Sequence, residues 1–342
     1  MSVPTLDVAT QAWLEGGAGD EITVRANEAA WQALALRPRV LRPLAGSHTH
    51  MRLLGRDWPT PLLVAPMAHQ RVLHPHGEQA TALAAAALGA GMVLSCQAST
   101  PLEEVARLHL ADPGRGPLLF QLYLQTRREQ TEALVRRAEA AGYEALVLTV
   151  DAPVQGVRDR ERHSGFRLPP GVSAVNLPLA PPSDLPALLA SAPTWDDVHW
   201  LCQLTHLPVW LKGVLHPDDA RQAVLSGAHG LIVSNHGGRT LDTTCPTARA
   251  LPDVVAAVGE ALPVLVDGGI RRGTDVLKAL GLGAAGVLVG RPVLRALAAD
   301  GAQGVAKALK ALHDELIAAQ ALTGCRHASD ARALNIFFEP PH

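Results

Sequence analysis

From Pro61 onward the chain alternates short apolar runs with longer segments in which apolar residues recur every three or four positions. Short continuous runs read as strands buried on both faces, and the 3.6-residue period reads as helices with one face on a core. The runs are Leu62 to Ala65, Met92 to Ser95, Leu118 to Tyr123, Ala145 to Val150, Val209 to Lys212, Gly230 to Ser234, Val264 to Asp267 and Gly286 to Val289. Between them lie amphipathic segments such as Arg127 to Ala141, Asp218 to Ser226 and Thr274 to Leu280, with His216-Pro217-Asp218-Asp219 as a helix entry. Strict alternation implies a parallel sheet, and eight strands are what an α/β fold of the (β/α)8 TIM-barrel type requires. The expected organisation is one domain over 1–342: a helical N-terminal extension (1–60), the barrel (61–300), and a closing helix and tail (301–342). Leu168 to Pro193, rich in proline, breaks the rhythm and reads as a long loop after strand 4, over the C-terminal mouth of the barrel.

Composition narrows the function. A length of 342 residues suits one barrel of about 250 residues with additions. A formal net charge of −2 offers no broad attraction to nucleic acid or an anionic membrane. Four cysteines without a C-x-x-C pair suggest reduced thiols. With no export signal, membrane-spanning run or peroxisomal C-terminal address in evidence, a cytoplasmic location is expected. Gly281-Leu282-Gly283-Ala284-Ala285-Gly286 matches the dinucleotide fingerprint, but it follows a helix and opens a strand, the reverse of the required context. The pairs His48/His50 and His74/His76 lack a completing carboxylate or cysteine cluster, so no metal is expected. Neither a G-x-S-x-G elbow nor an H-E-x-x-H helix suggests a hydrolase.

Polar residues instead gather at the predicted strand ends: Ser95, Gln121 with Tyr123, Thr149 with Asp151, Lys212, Ser234 with His236, Asp267, and Gly290 with Arg291. In this fold those ends build the active site. Ser234-Asn235-His236-Gly237-Gly238-Arg239 sets a base and a cation three residues apart in a glycine-softened turn. Imidazole titrates near neutral pH, and a guanidinium clamps a carboxylate with two parallel hydrogen bonds, a combination that suits a 2-hydroxy acid. Asp267-Gly268-Gly269-Ile270-Arg271 after strand 7 and Gly290-Arg291-Pro292 after strand 8 stand where barrels commonly bind phosphate.

These motifs, with Phe-Gln-Leu-Tyr at 120–123, Thr-Val-Asp-Ala-Pro at 149–153, Leu-Lys-Gly-Val at 211–214 and the run from Asp267 to Val276, resemble the FMN-dependent L-2-hydroxy acid oxidase and dehydrogenase family from about Trp13 to Arg326. That family includes glycolate oxidase, lactate oxidase and mandelate- or 4-hydroxymandelate-oxidising enzymes. The resemblance implies FMN across the barrel mouth, with Pro66, Met67 and Ala68 beside the reactive edge of the flavin. It implies Ser95, Gln121, Thr149, Lys212 and Ser234 around the ring and ribityl chain, and Asp267, Gly268, Gly269, Ile270, Arg271, Gly290 and Arg291 on the ribityl and phosphate. A lysine beside the N1–C2 carbonyl would stabilise the charge gained on reduction. His236 would be the base, Asp151 its orienting carboxylate, Arg239 and Arg158 the carboxylate clamp, and Tyr123 a hydrogen-bond partner of the substrate. A homotetramer is implied as well.

Two departures fall on the substrate pocket. Leu14 stands where glycolate oxidase has a carboxylate-binding tyrosine, and Gln97 where it has a tryptophan, while Met67 often has a smaller counterpart. A lost hydrogen bond to a charged group costs about 1.5–3 kcal/mol if nothing replaces it. The expected activity is oxidation of an L-2-hydroxy acid to a 2-oxo acid, with electrons passing to FMN and then to O2 to give H2O2. Alternatives are a dehydrogenase with a quinone or protein acceptor, an FMN-barrel isomerase, and a flavin-binding protein that has lost catalysis.

Overall fold

The computed structural model describes residues 6–177 and 184–338. Eight parallel strands close into a barrel: β1 (Leu62–Val64), β2 (Gly91–Ser95), β3 (Leu118–Leu122), β4 (Ala145–Thr149), β5 (Val209–Val214), β6 (Gly230–Val233), β7 (Val264–Val266) and β8 (Gly286–Val289). They pair in chain order, and β8 closes on β1 through Val287 against Leu62 and Val289 against Val64. The expected fold is therefore the one observed, with each strand within two residues of its sequence-based position.

Strand periodicity divides the apolar residues into two cores. Leu62, Val64, Met92, Leu94, Phe120 and Leu146 face outward beneath the helices. Leu63, Val93, Leu119, Val147, Trp210, Ile232, Leu265 and Leu288 fill the barrel interior. The hairpin Met51–Leu53/Arg56–Trp58 packs Met51, Leu53 and Trp58 against that inner core and plugs one end. Both faces of every barrel strand are thus buried, which is why the runs are continuously apolar rather than alternating.

The remaining elements surround the mouth. Helices α1 (Val8–Glu15) and α2 (Ile22–Gln32) form the N-terminal cap, and α3 (Gly77–Ala87) follows β1. The one-turn helix α4 (Asp159–His163) follows β4, and α5 (Arg291–Thr323) follows β8, broken at Asp300 and Gly301. Two features differ from the sequence reading. The extension and the tail are not wholly helical, because Leu34–Arg37 pairs antiparallel with Asn335–Phe338 and ties the two ends together. The long segment after β4 contains a helix, Leu185–Ala190, and is anchored by buried Asn176, which accepts from Leu102 N at 2.9 Å and donates to Thr100 O at 3.0 Å. Residues 178–183 of that segment lie outside the described residues.

One buried imidazole makes stability pH-dependent. His109 is enclosed between the Ala82 and Gly116 carbonyls, and burial outweighs those bonds to lower its pKa from 6.5 to about 4. The unfolded chain therefore takes up this proton first as pH falls, so His109's contribution is complete above 6.5 and is lost between there and about 4. Melting temperature should decline over that window, and His109→Gln should flatten the slope; an unchanged slope in the variant would discount His109.

Candidate active site

The interior row of each strand runs on into the mouth. Val93 is followed two residues later by Ser95, Leu119 by Gln121 and Tyr123, Val147 by Thr149 and Asp151, Trp210 by Lys212, Ile232 by Ser234, and Leu265 by Asp267. A period of two keeps those side chains on one face, so polar groups from six strands meet above an apolar plug. Ser95, Gln121, Thr149, Lys212, Ser234 and Asp267 are all buried.

Lys212 is the central cation. Its Nζ donates to Ser234 Oγ at 2.9 Å and lies 3.3 Å from Asp267 Oδ2. Burial, the largest influence, disfavours its charge, but Asp267 and Asp151 outweigh burial and raise its pKa. Beyond it β5 bulges at Gly213 (φ 114°), where any Cβ would collide with the Asp151 side chain. The bulge thus makes room for the carboxylate.

Asp151 Oδ1 lies 2.9 Å from His236 Nδ1. Burial would raise the Asp151 pKa, yet Lys212 and the His236 hydrogen bond win and hold it below the ordinary 3.8. An ionised carboxylate only accepts, so Nδ1 carries a hydrogen, and the lone pair of the neutral ring is the one on Nε2. Nε2 makes no hydrogen bond among the described residues. The turn that presents this ring is strained, since His236 has φ 57°, a left-handed conformation that is unfavourable for a residue with a Cβ. Ser234 Oγ pins it by accepting from His236 N at 3.0 Å.

The arginines converge beside this pair. Arg239 Nη1 donates to Trp13 O at 3.0 Å and Gly16 O at 2.7 Å, which ties the N-terminal cap to the site. Burial first, then the Arg158 and Arg291 charges, lower the Arg239 pKa to about 9, leaving it cationic at neutral pH. Glu161 Oε2 accepts from Arg158 Nη1 at 2.9 Å and from Arg239 Nη2 at 3.4 Å. Tyr123 lies within range of the charges of Asp151, Arg158 and Arg239, and burial above all raises its hydroxyl pKa, so it stays a donor. The structure thus brings together all five residues expected to be catalytic.

The residues expected to hold the cofactor line the same mouth. Gln121 Nε2, Asp267 Oδ1, Arg271 Nε and Arg291 Nε are buried without a partner among the described residues. Orphaned groups of this kind are rare in a native interior and point to a polar ligand. Their order, an amide, hydroxyls and Lys212 at the centre, then Asp267, the Gly268-Gly269 turn (φ 87° at each) and two arginines at one edge, fits a polar ring with an anionic tail, as in FMN. Arg271 is meanwhile paired with Glu28 at 2.6 Å, and Arg291 donates to Gly237 O and Gly16 O at 2.9 and 3.0 Å. Ile270 is buried behind the turn, Pro66, Met67 and Ala68 are half-buried, and Met67 approaches Gly290. Of the two departures, Leu14 is buried and half-buried Gln97 is held through its backbone by Ser95 Oγ and His69 N.

Several supports had no signal in the sequence. Asn27 and Asn235 exchange two amide hydrogen bonds of 2.8 Å, locking α2 onto the turn that carries His236. Asp242 caps α2 by accepting from Thr23 N at 2.8 Å. Buried Glu78 accepts from Gln70 N, Ser99 N and the hydroxyls of Ser99 and Thr100 at 2.8–3.0 Å, fastening the loop after β1 to the loop after β2. A polar residue becomes a clasp only once its distant partner is known.

Residues 4–336 match the model of the FMN-dependent dehydrogenase family. The chain is 49% identical over 330 residues to an L-lactate oxidase of Roseobacter sp., covering 93% of this chain and 88% of the relative. It is 43% identical over 333 residues to glycolate oxidase 1 of Oryza sativa, covering 94% and 89%. A crystal structure of mandelate oxidase with (S)-2-phenylpropionate superposes with a TM-score of 0.90 at 44% identity, covering 97% of this chain and 95% of that one. A mandelate oxidase variant holding an FMN adduct also gives a TM-score of 0.90, at 43% identity and 98% and 96% coverage. The match runs through every strand end described above, and the chain belongs to the FMN-dependent dehydrogenase family, with FMN as its cofactor.

Proposed function

We propose that His236, oriented by Asp151, is the base in the oxidation of a 2-hydroxy acid to a 2-oxo acid that this FMN enzyme carries out. The observation that carries the assignment is the His236–Asp151 pair opening onto Arg158, Arg239 and Tyr123 at the barrel mouth. The two arginines bind the substrate carboxylate and Tyr123 donates to a substrate oxygen, so that His236 Nε2 takes one of the two protons the oxidation releases. Asp151, ionised through the neutral range, stabilises the imidazolium that forms. Bound FMN supplies the acceptor for the two electrons that leave the substrate.

We take molecular oxygen as the final acceptor, with H2O2 as product, because the two relatives described above are named oxidases. An H2O2 yield of one per turnover supports this, whereas turnover seen only with an artificial dye would favour a dehydrogenase. Homotetramer formation is proposed from the family resemblance, and sedimentation would test it; a cytoplasmic location is proposed from the four cysteines without a C-x-x-C pair.

Leu14 and Gln97 bear on the substrate. With no phenol donor at Leu14, the pocket should reward a substrate that buries its own side chain, at about 25 cal/mol per Å² of apolar surface. L-Mandelate or 2-hydroxyoctanoate should therefore exceed glycolate in kcat/KM. Steady-state assays decide it, and a preference for glycolate would reject this account of the pocket.

A further inference from the structure

The arginines assigned to the substrate's carboxylate already share one. A single oxygen of Glu161, Oε2, sits 2.9 Å from Arg158 Nη1 and 3.4 Å from Arg239 Nη2. The other guanidinium end of Arg239 is committed to the Trp13 and Gly16 carbonyls, so Nη2 is the end left for an anion. Glu161 belongs to α4, the five-residue helix that has Arg158 as its N-cap, and this helix contains no buried residue. It is attached to the N-terminal cap by the Arg160–Glu21 ion pair, by Gly19 N donating to Val157 O at 2.8 Å just before it and, just beyond its end, by Phe166 stacked on Trp13 at 5.4 Å. The Glu161 side chain is 19% exposed, so a rotation about its own bonds can carry the carboxylate toward water.

We infer that Glu161 is an internal competitor for the substrate: its carboxylate holds the arginine pair while the pocket is empty and must be turned out before a 2-hydroxy acid can seat. The inference rests on the reading of Arg158 and Arg239 as the carboxylate clamp. Two partly buried guanidiniums facing each other repel, and Arg239 bears the mark of it in a pKa held down by burial first and by Arg158 next. A resident carboxylate relieves that repulsion without closing the site permanently, as a covalent or fully buried ion would. It also sets a threshold, because the observed affinity of any carboxylate is reduced by the fraction of molecules in which Glu161 has left. Glu161 is thus a positioning residue that acts on affinity through the arginines.

The test uses FMN-loaded enzyme titrated anaerobically with pyruvate, a 2-oxo acid product, followed by the change in flavin absorbance. Lactamide, which lacks the carboxylate, is the control ligand. Glu161→Gln removes the charge at nearly constant size and should tighten pyruvate binding by about three- to tenfold, the range expected for loss of a partly exposed ion pair. Lactamide affinity should stay within about twofold, since the competition is for the arginine pair. Glu161→Asp, one methylene shorter, loses the longer contact to Arg239 and should fall between the two. It carries the test by itself should Glu161→Gln not retain FMN. Unchanged or weaker pyruvate binding in the glutamate variants, with weakened binding in Arg239→Met, would overturn the competition while leaving the clamp intact. Wild-type pyruvate affinity in both Arg158→Met and Arg239→Met would instead overturn the clamp itself.

Discussion

Replacing His236 with asparagine should slow reduction of the bound flavin by a 2-hydroxy acid about 10²–10⁴-fold, the usual cost of removing a general base. Asparagine is the informative choice. It tolerates the left-handed backbone that His236 adopts at φ 57°, and its amide can still donate to Asp151, so the turn and the carboxylate's partner are both kept. Only the proton acceptor is lost. FMN content and pyruvate affinity should stay near wild type, because Lys212, Arg158 and Arg239 are untouched. Anaerobic stopped-flow mixing reads the rate directly, and a variant that bleaches its flavin at close to the wild-type rate would remove His236 from the role of base.

Lys212→Met should show the largest loss of stability. The lysine is 3% exposed, lies 3.3 Å from Asp267 and is close enough to Asp151 to be the leading influence holding that carboxylate's pKa down against burial. Removing one partner of a buried ion pair typically costs about 3–5 kcal/mol, since the remaining charge is left uncompensated. Two carboxylates are stranded here. Denaturant unfolding should therefore shift strongly, and the Asp151 pKa should rise once Lys212 no longer opposes burial. That shift has a sign: a depressed carboxylate pKa stabilises the fold above the ordinary value of 3.8 and loses that contribution as pH falls through the folded value, so the variant should lose its Asp151 contribution at higher pH than wild type. FMN that remains bound should have a lower reduction potential, because the fixed cation that favours added negative charge is gone. Wild-type stability together with an unchanged potential would show that neither role belongs to Lys212.

The long polar turn after β6 illustrates how much a local pattern can carry. His236 and Arg239 were recognisable because a strand of known period ends at Val233, and the motif that follows is specific in both residue type and spacing. The same holds for Gln121, Thr149, Lys212, Ser234 and Asp267, each two residues beyond an interior apolar position, so that strand parity alone aims them into one mouth. The short strands Leu34–Arg37 and Asn335–Phe338 carried no such signal. Each has four residues and only two of Asn335–Phe338 are even half-buried, so their identity comes from pairing with one another across about three hundred residues.

The sequence by itself determined the barrel, the residues that reach the mouth and the family to which they belong, because those follow from periodicity and from contiguous motifs. What only the tertiary structure decided is how the residues are paired. Glu161 on both arginines, Glu28 on Arg271, Asn27 on Asn235 and the Gly16 carbonyl shared by Arg239 and Arg291 join segments that lie far apart in the chain, apart from the local Arg158–Glu161 contact. A charged or amide side chain is compatible with many partners, and burial beside one of them is what selects it. That selection requires the folded distances, which no local pattern of hydrophobic and polar positions contains.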